Sequence, residues 1–350
     1  MLYSNWLVIT TWGGVTIMTL NISAKCNAWL MFAVMSFLLA ACQTRSPIPP
    51  IVVVNDLPAK SSVNGKPIAA EQLLRKDYVS TLDNETHQYF VYLPRGYGDQ
   101  PDKKWPVMLF LHGNGERGNG RDELDYVITH GPLYEAWIQK KELPFIIISP
   151  QLPMFSMGKV PYIANRTRSQ IPQRLVEGVP VRDPFLATPG SLQPAEVVTQ
   201  SDMKKVPPLL PVGWDYVEQD LLGMLDAVQK NYSTDAARIY LTGLSYGGFG
   251  TWFMASKHPE MFAAIAPVVG WGHPDLMAPI AKAQLPVWAF AGGRDKSVEK
   301  KFFYPGLAKL EELGAKEVRF TVEEDMAHDT WKRVYARDDL YIWLLAHSKK

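Results

Sequence analysis

The stretch "YLTGLSYGGFGTW", residues 240–252, holds a serine and four glycines between a short β-branched and aromatic run and a second apolar run. "GLSYG" (243–247) fits the pattern G-x-S-x-G. Alone the pattern is weak, because a glycine-rich loop produces it readily. Its weight comes from context: the serine is exposed for chemistry only where the motif joins a strand to a helix, lifting its oxygen above the sheet's carboxyl edge. Here "RIYLT" (238–242) reads as the strand, and the residues after the glycines, through about Lys257, read as the helix. Gly243 and Gly247 remove side chains that would crowd so tight a turn.

Outward from this point the pattern alternates between strand-like and helix-like segments. "HQYFVYLP" (87–94), "VMLFLH" (107–112) and "FIIIS" (145–149) precede the motif as strands; "FAAIAPVV" (262–269), "PVWAFAG" (286–292) and "EVRFTVEE" (317–324) follow it. A helix over 215–232 places Val217, Leu221, Leu222, Leu225 and Val228 on one face, with Asp215 near its start as a cap. Further helices are expected over 298–313 and near the C-terminus. Near-continuous apolar strands alternating with helices predict an α/β fold with a mostly parallel sheet covered on both faces.

A nucleophilic serine needs a base and an orienting acid, in this arrangement in the chain order Ser, Asp/Glu, His. The downstream histidines are His258, His273, His328 and His347. His328, in "EEDMAHDTW" after a strand, is best placed on a loop above the sheet; His273 in "VVGWGHPD" is the weaker alternative. Asp295, just past the strand in "LPVWAFAGGRD", is the favoured acid, against Asp275, Asp325 and Asp329. Two backbone N–H groups must meet the developing oxyanion. Tyr246, after the serine, supplies one, and Asn114 in "LHGNGERG" (111–118), followed by Gly115, the other. No glycine pattern of a nucleotide site follows a strand.

The net charge of +1, from 36 basic and 35 acidic residues, gives no electrostatic argument for nucleic acid. The two cysteines, Cys26 and Cys42, lie near the N-terminus, so no disulfide framework or Cys/His metal cluster is expected in the body of the chain. No cofactor is implied.

The apolar run "AWLMFAVMSFLLAA" (28–41) follows Lys25, is short for a membrane span and fits a signal-peptide core. It ends in "LAAC" (39–42), which resembles the bacterial lipobox, with Cys42 as the lipidated residue. Residues 1–41 therefore read as a lipoprotein signal peptide whose true start is Met18, and 42–85 as a tether and N-terminal extension. Gln43 in place of an aspartate points to the outer membrane or the periplasmic side of the cell envelope. A protein tethered there has no access to ATP or reduced nicotinamide, which favours hydrolysis.

Residues 86–350 read as the catalytic domain, interrupted by 152–212. That segment holds ten prolines, no period, and Arg166, Arg168, Arg174 and Arg182. It is far longer than an ordinary connection and is expected to be a lid or partner-binding insertion, or a loosely packed or disordered excursion with a solvated arginine face.

"LHGNGERG", "ISPQ", "RIYLTGLSYGGFGTW", "LPVWAFAGGRD" and "AHDTW" together resemble the predicted peptidase branch of the α/β-hydrolase superfamily, with phospholipase/carboxylesterases, polyhydroxybutyrate depolymerase-like esterases and feruloyl-type esterases among its relatives. The resemblance spans about 86–346 outside the insertion. It implies Ser245 as nucleophile, Asp295 as acid and His328 as base. Two departures stand out: Tyr246 replaces the methionine common after the family's serine, and 152–212 replaces a short connection. The expected activity is hydrolysis of carboxylic esters through an acyl-enzyme, with a peptidase of the same fold, or a non-catalytic binding lipoprotein, as alternatives. Trp252, Trp271 and Trp331 are candidates either for an aromatic pocket or for the core.

Overall fold

The computed structural model describes residues 68–349 apart from 194, 195 and 197, together with the backbone of four short strands nearer the N-terminus. The chain divides into two units, Met1–Pro49 and Pro50–Lys350. In the first, strands Leu7–Trp12 and Val15–Leu20 pair as an antiparallel hairpin, which the sequence reading did not anticipate. β-Branched runs on either side of Gly13 and Gly14 account for it. The expected signal-peptide core and Cys42 lie outside the described residues.

The second unit is built on an eight-stranded sheet. In chain order its strands are β1 (Gln72–Val79), β2 (Thr86–Leu93), β3 (Trp105–Leu111), β4 (Ile146–Ser149), β5 (Thr234–Leu244), β6 (Ala264–Val268), β7 (Val287–Gly292) and β8 (Val318–Glu323). Their spatial order is β8-β7-β6-β5-β3-β4-β2-β1. β1 and β2 run antiparallel to their neighbours, and every other pairing is parallel. The domain thus begins before residue 86: β1, assigned above to the tether, pairs along its whole length with β2. β1 carries Arg75, Lys76 and Asp77 and shows no apolar run, as an edge strand with one open side permits.

β3 is buried throughout, and its side chains alternate between two cores. Val107, Leu109 and Leu111 face the layer formed by α1 (Glu218–Asn231), α2 (Tyr246–Lys257), α3 (Met277–Lys282) and α4 (Phe303–Glu312). Met108 and Phe110 face the other layer, which includes Leu133, Trp137, α5 (Trp331–Ala336) and α6 (Asp339–Leu345). α1 buries Leu221, Met224, Leu225 and Val228, the spacing of a one-faced helix. Asp215 does not cap it; it sits in the preceding 3₁₀ turn Trp214–Val217.

The segment 152–212 is neither loose nor a solvated arginine face where it meets the domain. Leu152, Ile163, Ile171 and Met203 are buried. Arg168 pairs with Asp125, Arg174 with Glu71, and Arg182 with both carboxylate oxygens of Glu135. The segment then crosses the loops after β7 and β8: Thr188 N–H donates to Asp325 O (2.8 Å), Arg294 donates to Thr188 O (2.6 Å) and Gln193 N–H to Gly293 O (2.9 Å). Paired charges and a few buried anchors replace the periodicity that sequence reasoning looks for.

Candidate active site

β5 ends at Leu244 and α2 begins at Tyr246, so Ser245 alone makes the turn between them. Its backbone sits at φ 52°, ψ −117°, a conformation that a non-glycine residue holds only when its surroundings enforce it. The enforcement is visible. Ser245 N–H donates to Val268 O on β6 (2.9 Å), and Ser245 O accepts from Phe249 N–H (3.1 Å). A methyl group at Gly247 would stand 1.8 Å from Leu111 O, and one at Gly243 would stand 2.3 Å from Gly247 O. Both glycines of the motif are required because three backbone segments meet here.

Two loops complete the constellation. His328 Nε2 lies 3.0 Å from Ser245 Oγ, and His328 Nδ1 lies 2.7 Å from Asp295 Oδ2. Asp295 is fully buried, and its other oxygen accepts from Ser297 N–H (2.8 Å) and Val298 N–H (2.9 Å). An ionised Asp295 fixes the proton on Nδ1 of His328, which turns the lone pair on Nε2 towards the serine. The Trp331 ring packs edge-on to the His328 ring at 5.1 Å.

The alternatives considered above are engaged elsewhere. His273 is buried, with Nε2 3.0 Å from Met203 O. His258 pairs with Glu218 and His347 with Glu317. Asp325 pairs with Arg333, Asp329 with Lys332 and Asp275 with His273.

A cavity of about 610 Å³ opens over the serine. Its apolar wall includes Phe249, Trp271, Val298 and Trp331; Trp252 is instead a core residue whose Nε1–H donates to Gly270 O (2.8 Å). Tyr246 and Asn114 both line the cavity, and each opens a helical turn, where a first-turn N–H has no partner within its own turn. The Asn114 side chain donates to Tyr162 Oη (2.6 Å) and accepts from Arg117 Nε.

Several residues of this site had no role in it assigned from the sequence. Arg117 is fully buried, donates to Pro153 O (2.8 Å) and Val212 O (2.7 Å), and lies 4.9 Å from the Tyr246 ring. It therefore ties the loop after β3 to both ends of 152–212. Burial pulls its guanidinium down to about 10, still charged at neutral pH. Arg166, from within the segment, donates to Gly115 O (2.9 Å) and to Arg117 O, and pairs with Glu123. Tyr162 and Leu210 of the segment line the cavity, as does Glu116. The "ERG" that follows "HGNG" was the only signal for Glu116 and Arg117, and charged residues beside glycines read as an exposed loop; Arg166 was noted only as one of the arginines of 152–212. Among the described residues no group of three or more His, Cys, Asp or Glu could hold a metal ion.

Comparison with known proteins bears on the frame around this site. Residues 215–304, which contain α1, β5, the serine turn, Asp295 and the start of α4, match the model of the Prolyl oligopeptidase family. A stretch of 47 residues is 47% identical to poly(3-hydroxyalkanoate) depolymerase C of Paucimonas lemoignei, covering 13% of this chain and 11% of that one. Among solved structures, a thermostable esterase superposes with a TM-score of 0.53 at 22% identity over 79% of this chain and 63% of that chain. The feruloyl esterase module from Clostridium thermocellum, complexed with sinapinate, gives 0.47 at 18% identity, over 79% and 87% of the two chains. The chain thus spans about a tenth of the curated relative that it matches and less than two thirds of the esterase. Strand order, the serine turn and the first of these structures agree on the fold, which is that of the α/β hydrolases.

Proposed function

We propose that this α/β-hydrolase-fold protein is a serine hydrolase that cleaves carboxylic esters through an acyl-enzyme on Ser245. The observation that carries the reading is the unbroken hydrogen-bond chain Ser245–His328–Asp295, whose serine and histidine line the cavity, with the serine on its constrained turn. In the first half-reaction His328 Nε2 takes the Ser245 proton as Oγ bonds to the ester carbonyl carbon. The resulting imidazolium is held by Asp295, and the oxyanion by the N–H groups of Tyr246 and Asn114. Collapse of the tetrahedral intermediate breaks the carbon–oxygen bond to the alcohol, which leaves with the proton from Nε2. A water molecule then gives its proton to Nε2 and attacks the acyl carbon, and Ser245 is regenerated. The reaction balances without a cofactor.

The similarity to a poly(3-hydroxyalkanoate) depolymerase supports an ester that is polymer-linked or of similar chemistry. The match to the Prolyl oligopeptidase family favours a second reading, a peptidase using the same residues. The two are separated by assaying purified protein against p-nitrophenyl esters, acetylated and feruloylated sugars, and peptide amides. The ester reading expects turnover of at least one ester class with little amide cleavage; preferential amide cleavage would replace it with the peptidase. We further propose that the mature protein is lipidated at Cys42 and tethered in the cell envelope. Incorporation of labelled fatty acid, lost in Cys42→Ser, is the expected result; equal incorporation by both proteins would exclude it.

A further inference from the structure

The ester reading uses Ser245, His328, Asp295 and two backbone N–H groups, and leaves Glu116 in the cavity without a role. Glu116 lines the cavity, is 7% exposed, and its Oε2 has no hydrogen-bond partner among the described residues. It stands close to the nucleophile: a methyl group built on Gly113 would lie 3.2 Å from Glu116 Oε2 and 3.5 Å from Ser245 Cβ. A carboxyl oxygen left unpaired in a closed site costs more than an apolar atom of the same size would. Its retention beside the nucleophile points to a donor that arrives with the substrate.

The loop backbone at Glu116 and Gly113 hydrogen-bonds the carboxyl, but no neighbouring side chain supplies a donor to Oε2. His112 Nε2 accepts from Leu152 N–H (2.8 Å), so its proton is on Nδ1, which donates to Gly113 O (2.6 Å) and only approaches Glu116 at 3.7 Å. His130 Nε2 also stops 3.7 Å away. Burial first, and then nearby cations, hold both histidines neutral at neutral pH, His112 at about 3 and His130 at about 4. Arg166 faces the same loop but donates to the carbonyls of Gly115 and Arg117 and to Glu123. Burial pushes Glu116 up to about 7, more than the loop backbone and the Arg166 charge lower it.

We propose that Glu116 forms a subsite for a hydroxyl group on the substrate, so that the preferred esters carry a free hydroxyl a few atoms from the scissile carbonyl. A neutral hydroxyl fits better than an ammonium group, because Arg117 and Arg166 already place two positive charges at this loop. Oε2 itself is buried, so a substrate hydroxyl reaches it once the carboxyl turns about its soft terminal torsion. The subsite rests on the ester reading and refines it.

The test is a ratio of kcat/KM within matched ester pairs, one varying the acyl side (p-nitrophenyl 3-hydroxybutyrate against p-nitrophenyl butyrate), the other the alcohol side (2-hydroxyethyl butyrate against ethyl butyrate). In the wild-type protein one pair is expected to favour the hydroxylated member by about tenfold or more, as for a hydrogen bond to a charged acceptor. The ratio should rise between pH 6 and 8 as Glu116 loses its proton and becomes the stronger acceptor, and effects common to both members of a pair cancel. Glu116→Ala should bring the ratio towards one, and Glu116→Gln should remove its pH dependence. A wild-type ratio at or below one for both pairs, a ratio retained in Glu116→Ala, or a ratio equally pH-sensitive in Glu116→Gln overturns the subsite. Should Glu116→Ala not fold, the isosteric glutamine variant decides alone. Hydrolysis of plain esters without hydroxyl preference sinks only this inference, whereas a folded wild-type protein that cleaves no ester sinks the parent reading, and this one with it.

Discussion

At Asp295 the geometry assigns a task narrower than supplying charge. One carboxylate oxygen receives two backbone N–H groups and the other receives His328, so the side chain cannot rotate away from the imidazole. Asparagine fits the same space but can offer its amide N–H to Nδ1, which favours the wrong histidine tautomer. Asp295→Asn should therefore lower kcat by about 10⁴-fold with KM little changed, read in steady-state ester hydrolysis. A loss below tenfold would mean that His328 is oriented by something else. Ser245, Asp295 and His328 were legible in the sequence because each follows a strand and they occur in the order that this sheet requires. Glu116 and Arg117 were not, because burial beside a cavity is a property of the packed molecule.

The element that carries most of the site is the junction of β5 and α2. α2 can press against β3 only because Gly247 has no side chain where Leu111 O approaches. Gly247→Ala should cost at least the ~1–3 kcal/mol typical of overpacking, with loss of activity, because backbone and not a movable side chain stands in the way. Gly223 is the control. It lies exposed within α1, where an added methyl group would meet nothing within 4 Å, and Gly223→Ala should stabilise by about 0.5–1 kcal/mol. Chemical denaturation monitored by circular dichroism reads both, and equal effects would contradict the account. The strands of the parallel core were legible as apolar runs. β1 was not, since an edge strand bearing Arg75, Lys76 and Asp77 has no apolar signature.

On the scale of the whole molecule, 152–212 acts as part of the site's frame. It begins and ends on Arg117, supplies Tyr162 and Leu210 to the cavity, and touches the loops that carry Asp295 and His328. Arg166 clamps the carbonyls of the loop that bears Asn114, so Arg166→Ala should lower kcat by about 10–100-fold through misplacement of that loop. Arg182→Ala, which removes an ion pair to the buried Glu135 away from the cavity, should lower stability but leave the kcat of the folded protein within about twofold. The reverse order of effects would return the segment to the status of a detached excursion. Its packing was illegible because the fit depends on pairing arginines with carboxylates and carbonyls far away in sequence, which no local pattern encodes.

Mass spectrometry after exposure to a fluorophosphonate shows whether Ser245 is the nucleophile. One stoichiometric adduct is expected, mapped to the peptide containing Ser245 and absent from a folded Ser245→Ala variant. No adduct on the folded wild-type protein, or undiminished labelling of Ser245→Ala, would contradict that role.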